Sequence, residues 1–194
     1  MTLDTGIDAS NAEVAVSGQI FVADANAAIP SDLSFDPAMN GYDALGYLGP
    51  DGFTITPESS TTDLPGWQNG AILASIVSDA KLTANFVCVE TRREVVEAFW
   101  GTTVGPDGSY TVNPGRTGGP KRWLFATIMN DGSIEIGSYL GEVTERGEAV
   151  YNRGDLRGYN FTVTFYPDAQ YGGDTGKVWS SKLAGGSSSS SSSS

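Results

Sequence analysis

Apolar and polar residues alternate along most of this chain, with a period of two that belongs to strands. Val14, Val16, Ile20 and Val22 alternate against Ala15, Ser17 and Phe21, which predicts a first strand over residues 13–24. Residues 26–42 lose the pattern and carry Pro30, Pro37 and Asn40-Gly41, so they read as loop. Residues 45–48 and 53–56 flank Gly49-Pro-Asp-Gly52, a hairpin turn by composition. Residues 57–68 read as a long excursion containing Pro65-Gly66 and Trp67. Residues 70–78 are aliphatic and β-branched, 79–81 form a short polar turn, and 82–90 read as the return strand. Leu82, Ala84, Phe86 and Cys88 point one way there, and Thr83, Asn85, Val87 and Val89 the other.

The period then changes. Thr91-Arg-Arg-Glu94 fits a capping box, in which the Thr91 hydroxyl takes the Glu94 N–H and the Glu94 carboxylate reaches back. Val95 and Phe99 stack at i, i+4, as do Val96 and Trp100, and Gly101 is placed to cap the C-terminus. This is the one convincing helix. Residues 102–122 read as a second long loop around a short strand at 109–113. Residues 123–129 are apolar on both faces, which predicts an interior strand. Asn130-Asp-Gly132 is a strong hairpin signal leading into a strand over 133–142. Residues 144–156 are polar and turn-rich. Phe161, Val163 and Phe165 alternate against Thr162, Thr164 and Tyr166 until Pro167 stops the strand, and 177–180 make a last short one. The predicted architecture is mainly β: an antiparallel β-sandwich or partly open barrel of about eight to ten strands, with one short flanking α-helix. One domain spans 13–183, between an N-terminal arm (1–12) and a flexible Gly/Ser-rich tail (184–194).

Composition narrows the chemistry. The chain has 23 acids against 11 bases, a net charge of −12 and no His, so it should stay off polyanions and lacks the commonest general base and metal ligand. Cys88 is the single cysteine and sits in an apolar strand, which reads as a buried small hydrophobe. No basic, apolar leader opens the chain and no run is long enough to cross a membrane, which predicts cytoplasmic synthesis without membrane insertion. Gly115-Arg-Thr-Gly-Gly-Pro-Lys-Arg122 faintly echoes a phosphate loop, but Pro120 and Arg122 stand where Gly and Ser or Thr are needed. Asp51, Asp107 and Asp131 precede glycines without the alternating ligands of a calcium loop and read as turn residues. Arg153-Gly-Asp155 also reads as a turn. No nucleophile–base pair, metal cluster or cofactor motif can be named, so an enzyme is not expected and no cofactor is implied.

Gly46-Tyr-Leu-Gly-Pro-Asp-Gly-Phe-Thr-Ile-Thr-Pro57, Thr61-Thr-Asp-Leu-Pro-Gly-Trp-Gln68 and Glu97-Ala-Phe-Trp-Gly101, in that order, resemble the major tail (tail tube) proteins of long-tailed, non-contractile phages, especially those of actinobacteria. The resemblance covers roughly residues 13–167. It implies a structural virion protein that forms stacked, hexameric rings, a tube through which double-stranded DNA passes without specific binding. Its implied partners are further copies of itself and the tape measure, tail terminator and tail tip proteins. A monomeric β-sandwich binding module, built on exposed Trp and Tyr, is the alternative.

For a tube, the candidate lumen-facing residues are Ser75, Asp79, Thr83, Asn85 and Glu135, from the polar side of the strands. The candidate inter-subunit contacts are Asp63, Trp67, Gln68, Arg116 and Lys121. An acidic or neutral wall is expected, because repeated cationic contacts with phosphate would sum to a trap. At least two of the segments 1–11, 57–68 and 102–121 are expected to be ordered by neighbouring subunits, since they lack enough periodic apolar residues to fold onto their own core.

Overall fold

The computed structural model describes residues 11–65, 67, 71–148, 151, 153–154 and 156–184. Its elements are β1 (Ala15–Asp24), β2 (Asp43–Ala44), β3 (Leu48–Pro65), β4 (Ile72–Cys88), α1 (Arg93–Trp100), β5 (Lys121–Met129), β6 (Ile134–Arg146), β7 (Tyr159–Tyr166), β8 (Gly176–Ser180) and α2 (Ser181–Ala184). The N-terminal arm up to Ser10 and the Gly/Ser tail from Gly185 lie outside the described residues. No helix among the described residues is long and apolar enough to cross a membrane.

All strands join one antiparallel, unclosed sheet in the order β2-β1-β5-β6-β7-β4-β3, with β8 added to β6. The strand β6 makes this sheet a sandwich. Its first half pairs with β5 and β8, and its second half, from Leu140, pairs with β7. The sheet folds over at that change of partner. Phe125 of β5 then meets Phe86 of β4 at 6.0 Å and Phe165 of β7 at 5.9 Å, although β5 is hydrogen-bonded to neither strand. Those ring contacts cross between the layers. The main core holds Ile20, Trp123, Tyr139, Phe161 and Val163 with the α1 stripe. The other face of β5 and β6 sends Leu124 and Ile136 into a second cluster with Ala23 and Tyr42, partly covered by Leu33 and Phe35 of the 25–42 loop. Burial on both faces is what the apolar run of β5 predicts.

The helix forms as its periodicity predicts, with Val95, Val96 and Phe99 buried and Trp100 half-buried. Its start differs. Arg92 is the N-cap and makes no side-chain cap bond, so Thr91 lies one residue outside and Glu94 one position too early for a capping box. Glu94 instead pairs with Arg92 at 3.5 Å. Gly101 ends the helix at φ 59°, its N–H donating to the Glu97 carbonyl. A side chain at Gly101 would also meet the Gly118 backbone at 2.5 Å, so both conformation and space demand glycine.

Four other expectations are corrected. Residues 79–81 are no turn: β4 runs unbroken for 17 residues and pairs with the 18 residues of β3. The excursion at 57–65 is therefore the far half of a strand, and the reversal lies between Pro65 and Ile72. Gly49-Pro-Asp-Gly52 is a bulge within β3, because Leu48 faces Cys88 and Phe53 faces Phe86. Residues 109–113 form no strand. The loop around them is tied to its own chain by hydrogen bonds. Arg93 donates to the Val104 and Gly105 carbonyls, the Glu97 carboxylate accepts from Val104 N–H, and Arg146 donates to the carbonyls of Phe99, Pro114 and Arg116.

Candidate assembly surface

The far half of the β3–β4 hairpin projects from the sandwich as a two-stranded arm. Beyond Lys81, β4 pairs among the described residues with β3 alone, since β7 pairs only with residues 82–88. The arm's sequence suits strands, being rich in Thr, Ile and Val, yet nearly all of its residues are exposed. Ile72, Leu73, Ile76 and Val77 are each more than half exposed, and Trp67 at the tip is 97% exposed. A two-stranded ribbon with apolar residues on both faces buries nothing by itself, so this surface has the character of an interface.

A bulge shifts the parity of β4 within the arm. Between the Glu58–Lys81 and Ser60–Ser78 pairs, β4 holds one residue more than β3. Asp79 takes it up at φ 53°, the one positive φ among the described non-glycine residues. Its carboxylate accepts a hydrogen bond from Ser60 Oγ at 3.1 Å. Beyond the bulge, Ser78 and Ile76 continue the side that carries Thr83 and Asn85, while Ser75 and Val77 continue the core side.

The outer face of β3-β4-β7-β6 is polar. Thr54 faces Asn85 and Thr56 faces Thr83; Asn85 faces Thr162 and Thr83 faces Thr164; Glu142 faces Thr164 and Glu145 faces Thr162. The side chains are cross-linked by hydrogen bonds. Thr162 Oγ1 donates to Asn85 Oδ1 at 2.8 Å, the Thr144 and Thr164 hydroxyls are 2.8 Å apart, and Tyr166 OH donates to Glu142 Oε1 at 2.6 Å. Burial, with the Glu142 bond and charge added, pushes the Tyr166 phenol up to about 12. The ladder adds Glu58 and, opposite it, Lys81 at the arm root, so acids outnumber bases on this face.

The predicted lumen residues divide among four places. Thr83 and Asn85 share the polar face, but Thr83 is 4% exposed, which takes it out of any solvent-facing wall. Asp79 sits at the bulge, and Ser75 lies on the opposite side of the arm, donating to Asp63. Glu135 is elsewhere, half-buried opposite Thr127 at the end of the sandwich. Sequence parity could not separate Ser75 from Asn85, because only the bulge breaks it. Of the predicted contact residues, Asp63 and Trp67 are on the arm, and Gln68 lies outside the described residues. Arg116 is in the loop after α1, donating to Thr111 Oγ1 at 3.2 Å. Lys121 pairs with Asp24 at 2.8 Å and holds that carboxyl below its usual range. These two pairs tie the residues to their own chain. Asp155 of the Arg153-Gly-Asp triplet is outside the described residues.

The sequence model of the phage tail tube protein family matches residues 5–179. The chain belongs to that family. It is thus a structural component of the phage tail, not an enzyme. The match extends beyond residues 13–167 at both ends, taking in β8 of this tail tube protein. No curated protein matches the chain at a significant level.

Proposed function

We propose that copies of this tail tube protein join edge to edge into rings, hexameric as the resemblance implies, and that the rings stack into a conduit for double-stranded DNA. One observation carries the reading: the four-strand unit β6-β7-β4-β3 ends in two bare edges. Among the described residues no strand pairs with the outer side of β3, and β6 from Glu142 to Arg146 pairs only with β7. The two edge strands run in opposite directions, so β3 of one copy can continue antiparallel onto β6 of the next. Exposed edges template further pairing, and closure into a barrel removes them. Six copies at about 4.8 Å per strand give a backbone circumference of roughly 115 Å and a diameter of roughly 37 Å before tilt. That leaves room for a duplex.

The polar face is then the inner wall. Hydroxyls, an amide and carboxylates hold water and repel phosphate, so DNA has no cationic ladder on which to stall. The arms lie against neighbouring copies and bury their Ile, Leu and Val there. Tape measure, tail terminator and tail tip proteins are the proposed further partners. The binding-module alternative gains nothing, since Trp67 is too exposed to share a cleft with a tyrosine.

Electron cryomicroscopy of assembled tails tests this. Expected are rings with the β3 edge paired to β6 of the next copy and with Asn85 and Thr162 toward the axis. A ring with that face outward, or with the β3 edge in solvent, would sink the reading. As a functional arm, Asn85→Lys with Thr162→Lys should leave tube length unchanged and slow genome release.

A further inference from the structure

The two ends of the β3–β4 hairpin are complementary in form. At the tip stands the exposed indole of Trp67, beside Leu64, Ile72 and Leu73. At the root, an open groove of about 490 Å³ lies between the start of β1, the residues leading into β3, and the end of β5. Val16, Tyr47, Leu48, Phe53 and Met129 line it, with Glu135 among them. Val16 and Tyr47 are 66% and 77% exposed, so the groove has an uncovered apolar rim. The Glu135 carboxylate accepts no hydrogen bond from a described residue.

The tip cannot reach its own groove. Pro65 lies twelve residues beyond Phe53 on one strand, which at about 3.3 Å per residue is roughly 40 Å. Pairing of β3 with β4 along that length prevents folding back. A knob and a hole at opposite ends of one rod meet only between copies. Such a contact is head-to-tail, and its repetition makes a ring or an open filament rather than a closed pair.

The geometry points to a contact in which Trp67 of one copy seats in the root groove of another. Its ring lies against Tyr47, Phe53 and Met129, and its indole N–H donates to the Glu135 carboxylate. A buried Trp needs such a partner for its N–H, and a groove of this size has room for the ring. The inference rests on the ring reading above and goes beyond it by naming both halves of one contact. It also gives Glu135 a role at a subunit contact instead of on a lumen wall.

Cysteine cross-linking of assembled tubes of the full chain tests it. Cys88 is fully buried and does not compete. Pro65→Cys keeps Trp67 in place and is combined in turn with Tyr47→Cys, Asp51→Cys or Glu135→Cys, and a short bis-maleimide is added. A ladder of covalent multimers from at least one pair, with none from Pro65→Cys alone, is the expected result. Dimers from Pro65→Cys alone would mean tip-to-tip contact and overturn the inference. Tubes intact by electron microscopy with no ladder from any of the three pairs would overturn it too, while leaving the ring reading standing. Failure of the unsubstituted chain to form tubes or rings in any assembled tail removes both. Separately, Trp67→Ala should abolish assembly with the monomer's melting temperature unchanged, and Trp67→Phe should restore it in part. Full assembly of Trp67→Ala refutes the contact.

Discussion

Replacing Asp168 by Ala should be among the most damaging single changes in this protein, although the residue touches no proposed assembly surface. Asp168 and Arg122 form an ion pair whose side chains are 5% and 1% exposed. Arg122 also donates to the Ala25 carbonyl at 3.3 Å and lies 5.8 Å from the Tyr171 ring, while Asp168 accepts from Gln170 N–H at 3.0 Å. One pair thus pins the 25–42 loop and the turn after β7 to the start of β5. Removing one member of a buried pair leaves an uncompensated charge and costs about 3–5 kcal/mol. For a domain of this size each kcal/mol moves the melting temperature by roughly 2–4 °C, so a fall of roughly 6–20 °C is expected. Urea unfolding of the monomer, followed by tryptophan fluorescence, gives the free energy directly. Arg122→Met with Asp168→Leu should recover most of the loss, because an apolar pair carries no desolvation penalty. It will not recover the Gln170 bond. A loss below about 1 kcal/mol in Asp168→Ala, or a double variant no more stable than the single, would refute the argument.

Phe99→Ala should cost about 3–5 kcal/mol, since the ring is 1% exposed and contacts Trp100, Tyr159 and Phe161. Thr91→Ala should be nearly neutral in the same assay, because Thr91 lies outside the helix cap. The Cys88 thiol, pushed up to about 12 mainly by burial, should resist a thiol reagent at pH 8 in the folded protein and react once urea unfolds it. Asp131 is held down to about 2 by bonds from Ser133 and Lys182, so its contribution to stability is present above the ordinary carboxylate range and lost as pH falls through about 2. An NMR titration should place its midpoint there, and Ser133→Ala should raise it; an unchanged midpoint would show that Ser133 is not the main cause.

The helix and the strands β1, β5, β7 and β8 were legible because their periodicity agrees with what each element buries. The arm was not, for reasons that can be traced to residues. Asp79 is polar between two apolar runs, and a positive φ at such a residue serves a turn and a bulge equally well. In the sequence, Asn69-Gly70 is a strong hairpin dipeptide, and the alternating Thr54, Thr56, Ser60 and Thr62 mark a strand. Pro57 and Pro65 hid that strand, yet proline is tolerated at a sheet edge, and β3 is an edge. Arg122, Arg146 and Arg93 show a different gap. Nothing in the sequence marks their partners: Arg122 and Arg146 bond to groups 46 and 30 residues away, and Arg93 to a carbonyl 12 residues on.

The bulge at Asp79 uncouples the residue count of β4 from the reach and facing of the arm. In a regular hairpin, adding one residue to each strand lengthens the ribbon and turns its tip over at the same time. A single extra residue in β4 alone is taken up locally: Ser78 still faces Ser60 and Ile76 still faces Thr62, on the side that carries Lys81 and Thr83. Unpaired insertions at this point therefore change neither how far the arm extends nor which row of side chains it presents, whereas paired ones change both. Deleting Asp79 would remove the bulge and its added twist and leave Ser78 opposite Ser60.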